Sequence, residues 1–170
     1  MKNLVTINLE NVPSDVAATF KTRTAARAVI LDSEGNIAML AVTKDGYHKL
    51  PGGGVDEGED LSTALARECM EEVGCEIRVL EEIGTVLEIR KNFCLVQDSH
   101  AWLAKLEGEK GTPDFTESEL SRGFEIRWMP ITEAKRLLNE ERSDDYESQY
   151  IVIRDLAILE EAERLITGRN

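Results

Sequence analysis

Cysteines are scarce in this sequence, and long apolar runs are absent. Cys69, Cys75 and Cys94 are odd in number and follow no CxxC spacing, so we expect buried reduced thiols and neither a zinc site nor a disulfide framework. No apolar run is long enough to span a bilayer, and the beginning, MKNLVTINLENV, lacks the apolar stretch of a signal peptide. We therefore expect a cytoplasmic protein with no membrane partner.

Positive charge is also in short supply. The chain has 20 basic and 33 acidic residues, and its net charge is -13. This balance opposes binding to a nucleic-acid backbone, so no nucleic-acid partner is expected. It does not oppose binding a phosphate compound through a metal ion, because the metal reverses the local sign of charge. A Ser-His-Asp signature, a Walker loop and a GxGxxG motif are missing, which removes several common enzyme classes.

The remaining pattern predicts one layered domain over residues 1–170. The chain is 42% hydrophobic, and its strand-like runs alternate with two or three helical segments, which favours an α/β or α+β architecture. TAARAVILDSEGNIAMLAVTKDGYHKL predicts a hairpin, EKGTPDFTESELSRG a mobile loop, and residues 132–170 the C-terminal helices, with Thr132 as an N-cap. Residues 1–22 form an N-terminal arm, whose segment VTINLENV could pair as an edge strand in a homodimer.

The helix predicted from about Leu61 to Val73 carries an unusual group of acids. Glu68, Glu71 and Glu72 crowd its C-terminal turns, where the helix dipole disfavours negative charge. Glu68 and Glu72 also repel each other, since they lie one turn apart. On a helical wheel the three acids share one face, and the other face is a core stripe of Leu65, Ala66, Cys69, Met70 and Val73. A solvated polar face is the alternative interpretation.

A hard divalent cation would turn these repulsions into attraction. Seven acids lie between positions 56 and 72, downstream of the glycine-rich segment PGGG. Mg²⁺ prefers carboxylate oxygens and shares its coordination shell with substrate phosphates. A calcium EF-hand is less suitable, because DEGEDL lacks the required pattern of acids with Gly at the sixth position.

The segment Gly53 to Cys75 resembles the signature box of the Nudix hydrolase family. The residues at its fixed positions are Gly53, Glu59, Arg67, Glu68, Glu71, Glu72 and Gly74. Cys69 and Cys75 occupy the two apolar positions, where the family commonly has Leu, Ile or Val, and a free cysteine packs as a small hydrophobe. LPGGGVDEGE and WMPITEA resemble the usual flanks of the box, so the resemblance covers about residues 24 to 135.

The resemblance implies a fold and an activity. The expected fold is an α/β/α sandwich with a mixed central β-sheet, in which residues 53–75 form a loop-helix-loop catalytic motif. The expected activity is hydrolysis of a small-molecule nucleotide, a nucleoside diphosphate linked to another moiety, with Mg²⁺ or Mn²⁺ as cofactor. A metal bridging two phosphates neutralises their charge, while a second metal or a carboxylate activates water.

The resemblance also assigns metal ligands. Glu68 and Glu72 are the expected ligands, and Glu71 is a third ligand or a catalytic base. Arg67 is expected to hold Glu71 in place, since it lies four residues earlier on the helix.

Two further positions complete the expected metal site. The Gly52 carbonyl is a candidate ligand. Glu59 either supports the loop, coordinates through water, or simply caps the helix.

Many family members supply a general base from a later loop. The candidates here are Asp114, Glu117, Glu119 and Glu125, and among them Glu117 or Glu119 is preferred. An ordinary solvated loop is the alternative for each of them, because a base must lie within hydrogen-bond reach of the water.

Substrate contacts are expected from basic and aromatic residues. Arg23 and Arg27 share one face of a strand and could face the pyrophosphate. Arg90 and Lys91 at the end of another strand could also face it, but surface salt bridging is the preferred interpretation for these two. The residues that could stack on a base are Tyr47, His48, Phe93 and Trp102, although core packing is preferred for Trp102 and Trp128.

Two questions stay open at this point. The first is whether the chain is an enzyme or a non-catalytic nucleotide-sensing or partner-binding module on the same fold; the complete set of box acids favours the enzyme. The second is the substrate, since ADP-sugars, oxidised nucleoside triphosphates, dinucleotides and a capped RNA end all fit the pattern.

Overall fold

The computed structural model of the chain describes residues 1–142 and 144–168. Ser143 and the last two positions of the predicted C-terminal helical segment, 169 and 170, lie outside the described residues. No helix within the described ranges is both long and apolar enough to cross a membrane.

The described residues form strands on one sheet, with helices on both of its faces. The strands are β1 (Asn3–Ile7), β2 (Lys21–Leu31), β3 (Asn36–Val42), β4 (Tyr47–Lys49), β5 (Glu76–Arg90), β6 (Leu95–Glu107) and β7 (Phe124–Pro130). The helices are α1 (Ser14–Ala17), α2 (Leu61–Val73), α3 (Glu117–Ser121), α4 (Ile131–Glu140) and α5 (Tyr146–Thr167), and a single 3₁₀ turn covers Lys91–Phe93. The predicted α/β/α sandwich is confirmed.

The sheet is mixed. Its strands lie in the order β1-β5-β6-β2-β3-β4, and β7 pairs with β3. β1 is parallel to β5 and β2 is parallel to β6, whereas the other pairs are antiparallel. β2 and β3 form the predicted hairpin, but their register joins only Leu31 to Ile37. The two strands therefore diverge, which leaves the rest of β2 accessible to another segment on that side.

Strand alternation in β2 separates the two cores. Successive side chains of a strand point to opposite faces. One core lies under α2, where Leu65 and Cys69 of the helix pack with Ala26, Ala28 and Ile30 of β2. Val29 lies in the second core, which the helices α4 and α5 cover with side chains that include Leu138, Tyr150, Ile158 and Leu159.

The predicted bounds of α2 are confirmed. Asp60 is its N-cap and accepts a hydrogen bond from the Thr63 amide at 2.8 Å. Gly74 ends it in the left-handed conformation, with φ 71°. The predicted core stripe is wrong in part, because Ala66 and Met70 are exposed while Ala64 and Glu72 are buried. The buried side is rotated toward Glu72, since that carboxylate faces the glycine loop described below.

Three other predictions need correction. Helix α4 begins at Ile131 with Pro130 as N-cap, so Thr132 does not cap it. Cys69 and Cys75 are buried as predicted, but Cys94 is exposed next to the 3₁₀ turn. The loop predicted around residues 109–123 contains a short helix, α3, which begins with a capping box between Thr116 and Glu119.

The N-terminal arm contributes the edge strand β1. It lies along β5, and Gly84 of β5 is so close to it that an added Cβ would lie 2.7 Å from the Lys2 carbonyl oxygen. The homodimer suggested by this edge stays a prediction, as does the cytoplasmic location.

Gly74→Ala should destabilise the protein more than Gly46→Ala does. Both glycines have φ close to 72°, so both substitutions carry a similar backbone strain of about 1–2 kcal/mol. At Gly74 the new Cβ would also lie 2.6 Å from the Thr112 backbone, whereas nothing lies within 4 Å at Gly46. Overpacking should add about 1–3 kcal/mol for Gly74→Ala. Urea unfolding measures both values, and equal losses would contradict the proposed steric conflict.

Asp32→Asn should lower the free energy of unfolding by about 1.5–3 kcal/mol at neutral pH, because charged hydrogen bonds are lost. Asp32 is buried at the hairpin turn and accepts from Lys110 Nζ at 2.7 Å and from the Asn36 amide at 2.8 Å. Burial alone would raise the pKa of Asp32, but these donors hold it below its ordinary value.

The stabilisation by Asp32 should therefore be present above the ordinary carboxyl pKa and disappear as the pH falls through the lowered native value. Urea unfolding between pH 7 and pH 3 should show the two proteins converging at the acid end. The exposed Asp114→Asn serves as control. A difference between wild type and Asp32→Asn that stays constant across this range would contradict the assignment.

Candidate active site

A glycine loop, residues 51–54, runs beside β2 where β3 has diverged. The Ala28 amide donates to the Pro51 carbonyl at 3.1 Å, and the Ala26 amide donates to the Gly53 carbonyl at 2.9 Å. Side chains would not fit here. An added Cβ at Gly52 would lie 2.1 Å from the Ala26 carbonyl oxygen, and one at Gly53 would lie 2.2 Å from the Glu68 carboxylate. The run of glycines thus allows close contact with both β2 and α2.

Glu72 connects α2 to this loop. Its side chain is almost fully buried, and it accepts from the Gly52 amide at 2.6 Å and from Lys49 Nζ at 2.8 Å. Lys49 is the last residue of β4 and supplies the neighbouring positive charge. A buried carboxylate needs such partners, and Glu72 has two.

Arg67 holds the other box acids. Its guanidinium donates to both Glu59 oxygens at 3.0 Å, to Glu68 at 2.9 Å and to Glu71 at 3.1 Å. It also donates to the Gly54 carbonyl at 3.0 Å. The bonds to Glu59, followed by those to Glu68, raise the pKa of Arg67, and the same contact lowers the pKa of Glu59. The predicted contact with Glu71 is confirmed.

Glu59 supports the loop and does not cap α2. Besides Arg67 it accepts from the Asp56 amide at 3.0 Å, whereas Asp60 is the residue that caps the helix. Of the roles considered for Glu59, helix capping is therefore wrong.

Glu68 and Glu72 are close enough to influence each other. The Glu68 side chain is 13% exposed, and burial, followed by the charge of Glu72, raises the pKa of Glu68. Two neighbouring carboxylates in a buried site favour the uptake of a positive charge, either a proton or a cation.

A polar cavity of about 240 Å³ opens beside these acids. Its walls come from β2, β4, the glycine loop, α2, β5, β6, α3, β7 and α5. The lining residues with ionisable or amide side chains are Arg23, Arg27, Tyr47, Lys49, Glu68, Glu72, Arg90, Gln97, Glu119, Arg122, Glu147 and Arg154.

The cavity brings together most of the predicted substrate residues. Arg23, Arg27 and Tyr47 line it, and so does Gly52. Burial raises the pKa of Tyr47, whose hydroxyl accepts from Arg122 Nη2 at 2.9 Å. The phenol therefore stays neutral and is held by a cation.

Other predicted substrate residues lie elsewhere. His48, the next residue in β4, points to the other side, where its ring contacts Glu141 and lies 3.3 Å from Arg127. Phe93 packs edge-on against Tyr146, and Trp102 stacks on His100. The preferred core packing of Trp102 fits its place beside the core under α2.

Arg90 is a clear correction. Surface salt bridging was the preferred interpretation, but its side chain is only 4% exposed and lines the cavity. It donates to Glu88, which is fully buried, at 3.1 and 3.2 Å. Lys91, next in sequence, is exposed.

Of the two preferred base candidates, one reaches the cavity. Glu119 lines it, and its Oε2 accepts from the Thr116 amide at 2.8 Å in the capping box of α3. Glu117, on the first turn of the same helix, is exposed and does not line the cavity.

Sequence reasoning missed several cavity residues. Lys49 and Arg122 flank the ring of Phe124, with Nζ and Cζ at 5.0 and 5.8 Å from its centre. Arg154 is fully buried on α5. The sequence does carry a signal for Arg154, because Arg154 and Asp155 interrupt the apolar run of a helix, YIVI-RD-LAIL. Charged residues are rarely buried in such a run unless they are paired.

The donor set suits a hard divalent cation. Within the described residues no group of three or more His, Cys, Asp or Glu side chains is preassembled for a metal. Mg²⁺ does not require such a cage, because one or two carboxylates and the substrate phosphates suffice. Glu68 and Glu72 provide oxygen donors of that kind, and Gly52, whose amide donates to Glu72, lines the same cavity.

Comparison with known proteins gives two curated relatives. A CMP-5′-(N-acetyl-N-hydroxy-3-aminopropyl)phosphonate hydrolase from Streptomyces rubellomurinus is 35% identical over 97 residues, 56% of this chain and 43% of that protein. An RNA pyrophosphohydrolase from Wolbachia pipientis is 43% identical over 49 residues, 28% of this chain and 30% of that protein. The chain thus spans less than half the length of these relatives.

Solved structures share the fold at low identity. The E. coli ORF135 protein matches with a TM-score of 0.62 at 22% identity over 89% of this chain and 96% of that one. A NUDIX hydrolase from Nitrosomonas europaea matches with a TM-score of 0.65 at 15% identity, over 85% of this chain and 90% of that one. A MutT protein from Methanosarcina mazei matches with a TM-score of 0.57 at 17% identity, over 86% of this chain and 96% of that one.

The NUDIX domain family matches residues 21–150, from the start of β2 into the first turns of α5. That range contains the glycine loop, α2 and every acid that Arg67 holds. The signature read from the sequence is thereby confirmed, and the chain belongs to the NUDIX domain family.

Proposed function

We propose that the protein is a Mg²⁺-dependent hydrolase that cleaves the pyrophosphate bond of a nucleoside diphosphate linked to another moiety. The observation that carries this proposal is the carboxylate pair Glu68 and Glu72 at the wall of a cavity lined by Arg23, Lys49 and Arg122, in a protein of net charge -13. Such a cavity concentrates anionic ligands beside carboxylates that suit a metal ion.

We propose Glu68 and Glu72 as the residues that hold Mg²⁺ or Mn²⁺, with the Gly52 carbonyl as a further donor. When bound, the ion would neutralise the diphosphate and lower the pKa of a coordinated water. Arg67 is a positioning residue, since its bonds to Glu59, Glu68 and Glu71 order these carboxylates. Glu71 is half exposed and remains available as a third ligand or base.

The positive side chains of the cavity would bind the substrate. Arg23 lies beside the glycine loop, where its Nη1 donates to Gln97 at 3.2 Å, and it is free to turn another N–H to a phosphate oxygen. Phe124 and Tyr47 offer ring faces, each flanked by a cation. Small-molecule nucleotides fit this volume of about 240 Å³ better than a folded partner does.

Glu119 is our proposed general base. Glu119 lines the cavity. Its contacts in the capping box of α3 use Oε2, so its Oε1 is not engaged in the cap. A base must reach the attacking water within about 3.2 Å in the substrate complex. Helix α3 fixes the direction of this carboxylate through the capping box.

Glu72→Gln and Glu68→Gln should each lower kcat/KM by more than about a hundredfold, since loss of an outer partner of a metal ligand already costs 10- to 100-fold. The measurement is release of a mononucleotide from a panel of nucleoside diphosphate compounds with Mg²⁺. Glu109→Gln, an exposed acid away from the cavity, is the matched control. Nucleotide binding by the folded wild type without turnover of any panel compound would favour the non-catalytic module.

Glu119→Gln should lower kcat by about 10²- to 10⁴-fold, because a glutamine cannot accept the proton. The fold should be unaffected, since glutamine also satisfies a capping box. Glu117→Gln, two residues away and outside the cavity, should retain full activity. Equal activity of the two variants would exclude Glu119 as the base and would point to Glu71.

A further inference from the structure

Three polar side chains lie side by side across neighbouring strands of the sheet that forms the floor of the cavity. Arg23 of β2 is in register with Gln97 of β6, and Gln97 is in register with Glu88 of β5. Arg23 and Gln97 line the cavity, whereas Glu88 is fully buried. Because residues in register on adjacent strands point to the same face, the sheet itself places these side chains in one row.

The amide of Gln97 has a defined orientation in this row. Its Nε2 donates to Glu88 and to Ser99 Oγ, the latter at 3.2 Å, and its Oε1 accepts from Arg23 Nη1 at 3.2 Å. An ionised carboxylate only accepts hydrogen bonds, and a guanidinium only donates them. The reverse orientation would set an oxygen against Glu88 and an N–H against Arg23. Glu88 therefore directs the acceptor atom of Gln97 toward Arg23.

Glu88 has this effect because its own charge is balanced. Arg90 donates to its two oxygens at 3.1 and 3.2 Å, and Arg154 Nη1 lies 3.8 Å from it. Both arginines are themselves buried, at 3% and 1% exposure. A buried carboxylate without such partners would favour its protonated form. The end of the row at Glu88 is thus charged, paired and closely packed.

Arg23 is held differently from other arginines at the cavity. It is exposed, and within the described residues it forms no ion pair with a carboxylate. Its guanidinium lies over Gly54, where an added Cβ would be 2.7 Å from Nη2 and 2.8 Å from Nε. Its hydrogen-bond partner Gln97 is a neutral amide, which leaves its positive charge uncompensated. The cavity arginines with carboxylate partners are Arg90, Arg122 and Arg154.

Ordering Arg23 in advance should strengthen the binding of an anion. An arginine side chain has many rotamers and loses this freedom when a ligand fixes it. A hydrogen bond that already holds the side chain reduces that loss. A carboxylate partner would also order the guanidinium, but its negative charge would weaken the attraction for a phosphate oxygen. The neutral amide of Gln97 orders Arg23 without this opposing charge.

We propose that Gln97 is a positioning residue: oriented by Glu88, it holds the Arg23 guanidinium over Gly54 and so presents it to a diphosphate oxygen of the substrate. The identity of that ligand rests on the proposed function. Gln97 donates no bond to the ligand, because its two N–H groups are already used by Glu88 and Ser99. It acts on the substrate only through Arg23.

The positioning is tested by the order of the Arg23 side chain in the ligand-free protein. The heteronuclear NOE of the Arg23 ¹⁵Nε–H group should be that of an ordered group in wild type. It should remain so in Ser99→Ala, which removes one contact of Gln97 but leaves the bond to Arg23. In Gln97→Met it should fall to the value of Arg78, an exposed arginine outside the cavity. An Arg23 that is equally ordered in wild type and Gln97→Met would overturn the proposal.

The consequence for binding is measured by calorimetry with methylenediphosphonate, a diphosphate analogue that resists hydrolysis, in the presence of Mg²⁺. The affinity should be about three- to tenfold weaker in Gln97→Met and at least about tenfold weaker in Arg23→Met, which loses a charged contact. In the Arg23→Met background, Gln97→Met should cost less than about twofold, because the group through which it acts is gone. Ser99→Ala should bind as the wild type does. An equal cost of Gln97→Met with and without Arg23 would contradict the positioning role.

A purely structural role for Gln97 would give another pattern. Gln97→Met leaves Glu88 with one donor fewer, so urea unfolding should show a loss of stability whether or not Arg23 is present. A structural role predicts this loss alone. The positioning role predicts, in addition, a loss of affinity that depends on Arg23.

Hydrolysis separates this inference from the proposed function. Gln97→Met should raise KM for the hydrolysed panel compounds about three- to tenfold and change kcat less than about twofold, since a contact made alike by substrate and transition state acts on KM. A lower kcat at unchanged KM would count against the positioning of a binding group. Absence of turnover in the wild type would refute the proposed hydrolase, and the order of Arg23 and the binding cycle would still decide the role of Gln97.

Discussion

The contact between Gly52 and β2 sets the positions of the groups around it. With φ 125° and no room for a Cβ beside the Ala26 carbonyl, this residue can only be glycine. Its amide is thereby directed at Glu72, and the following two residues lie against Glu68 and Arg23. The strand β2 therefore positions the acids of α2, the basic side chains of the cavity and the glycine loop relative to one another. Sites built on such regular elements hold their geometry better than sites carried by loops alone.

The same sheet face contributes both to the apolar core and to the cavity floor. On one face of β5, β6 and β2, the polar residues Glu88, Gln97 and Arg23 lie in register. Further along the same strands, Val86, Ala101 and Val29 belong to the apolar core. The apolar end packs under α4 and α5, and the polar end forms the cavity floor. The floor is thus continuous with the core, which limits how far its side chains can shift when a ligand binds.

Much of this architecture was accessible from the sequence, and the exceptions have physical reasons. The bounds of α2 follow from a local cap at Asp60 and a glycine stop, and the box spacing indicated the family. Arg122 could not be placed, because it meets the box only through the long-range packing of α3. Arg90 and Arg154 carry local signals of burial, but their approach to the box also results from long-range packing, that of β5 and α5. His48 was misassigned since a three-residue strand gives no pattern that tells which side faces inward. Arg90 alternates with Val86 and Glu88 on a buried face, and that period-two signal outweighs its charge.

Asp155 has a consequence beyond the site. Its carboxylate accepts the Leu50 amide at 2.8 Å, so the residue just before the glycine loop depends on a side chain 105 positions later. During synthesis the segment from β2 to α2 emerges long before α5 does, and closing such a distant contact is slow. The cavity can therefore close only after α5 has been synthesised, long after the residues of α2.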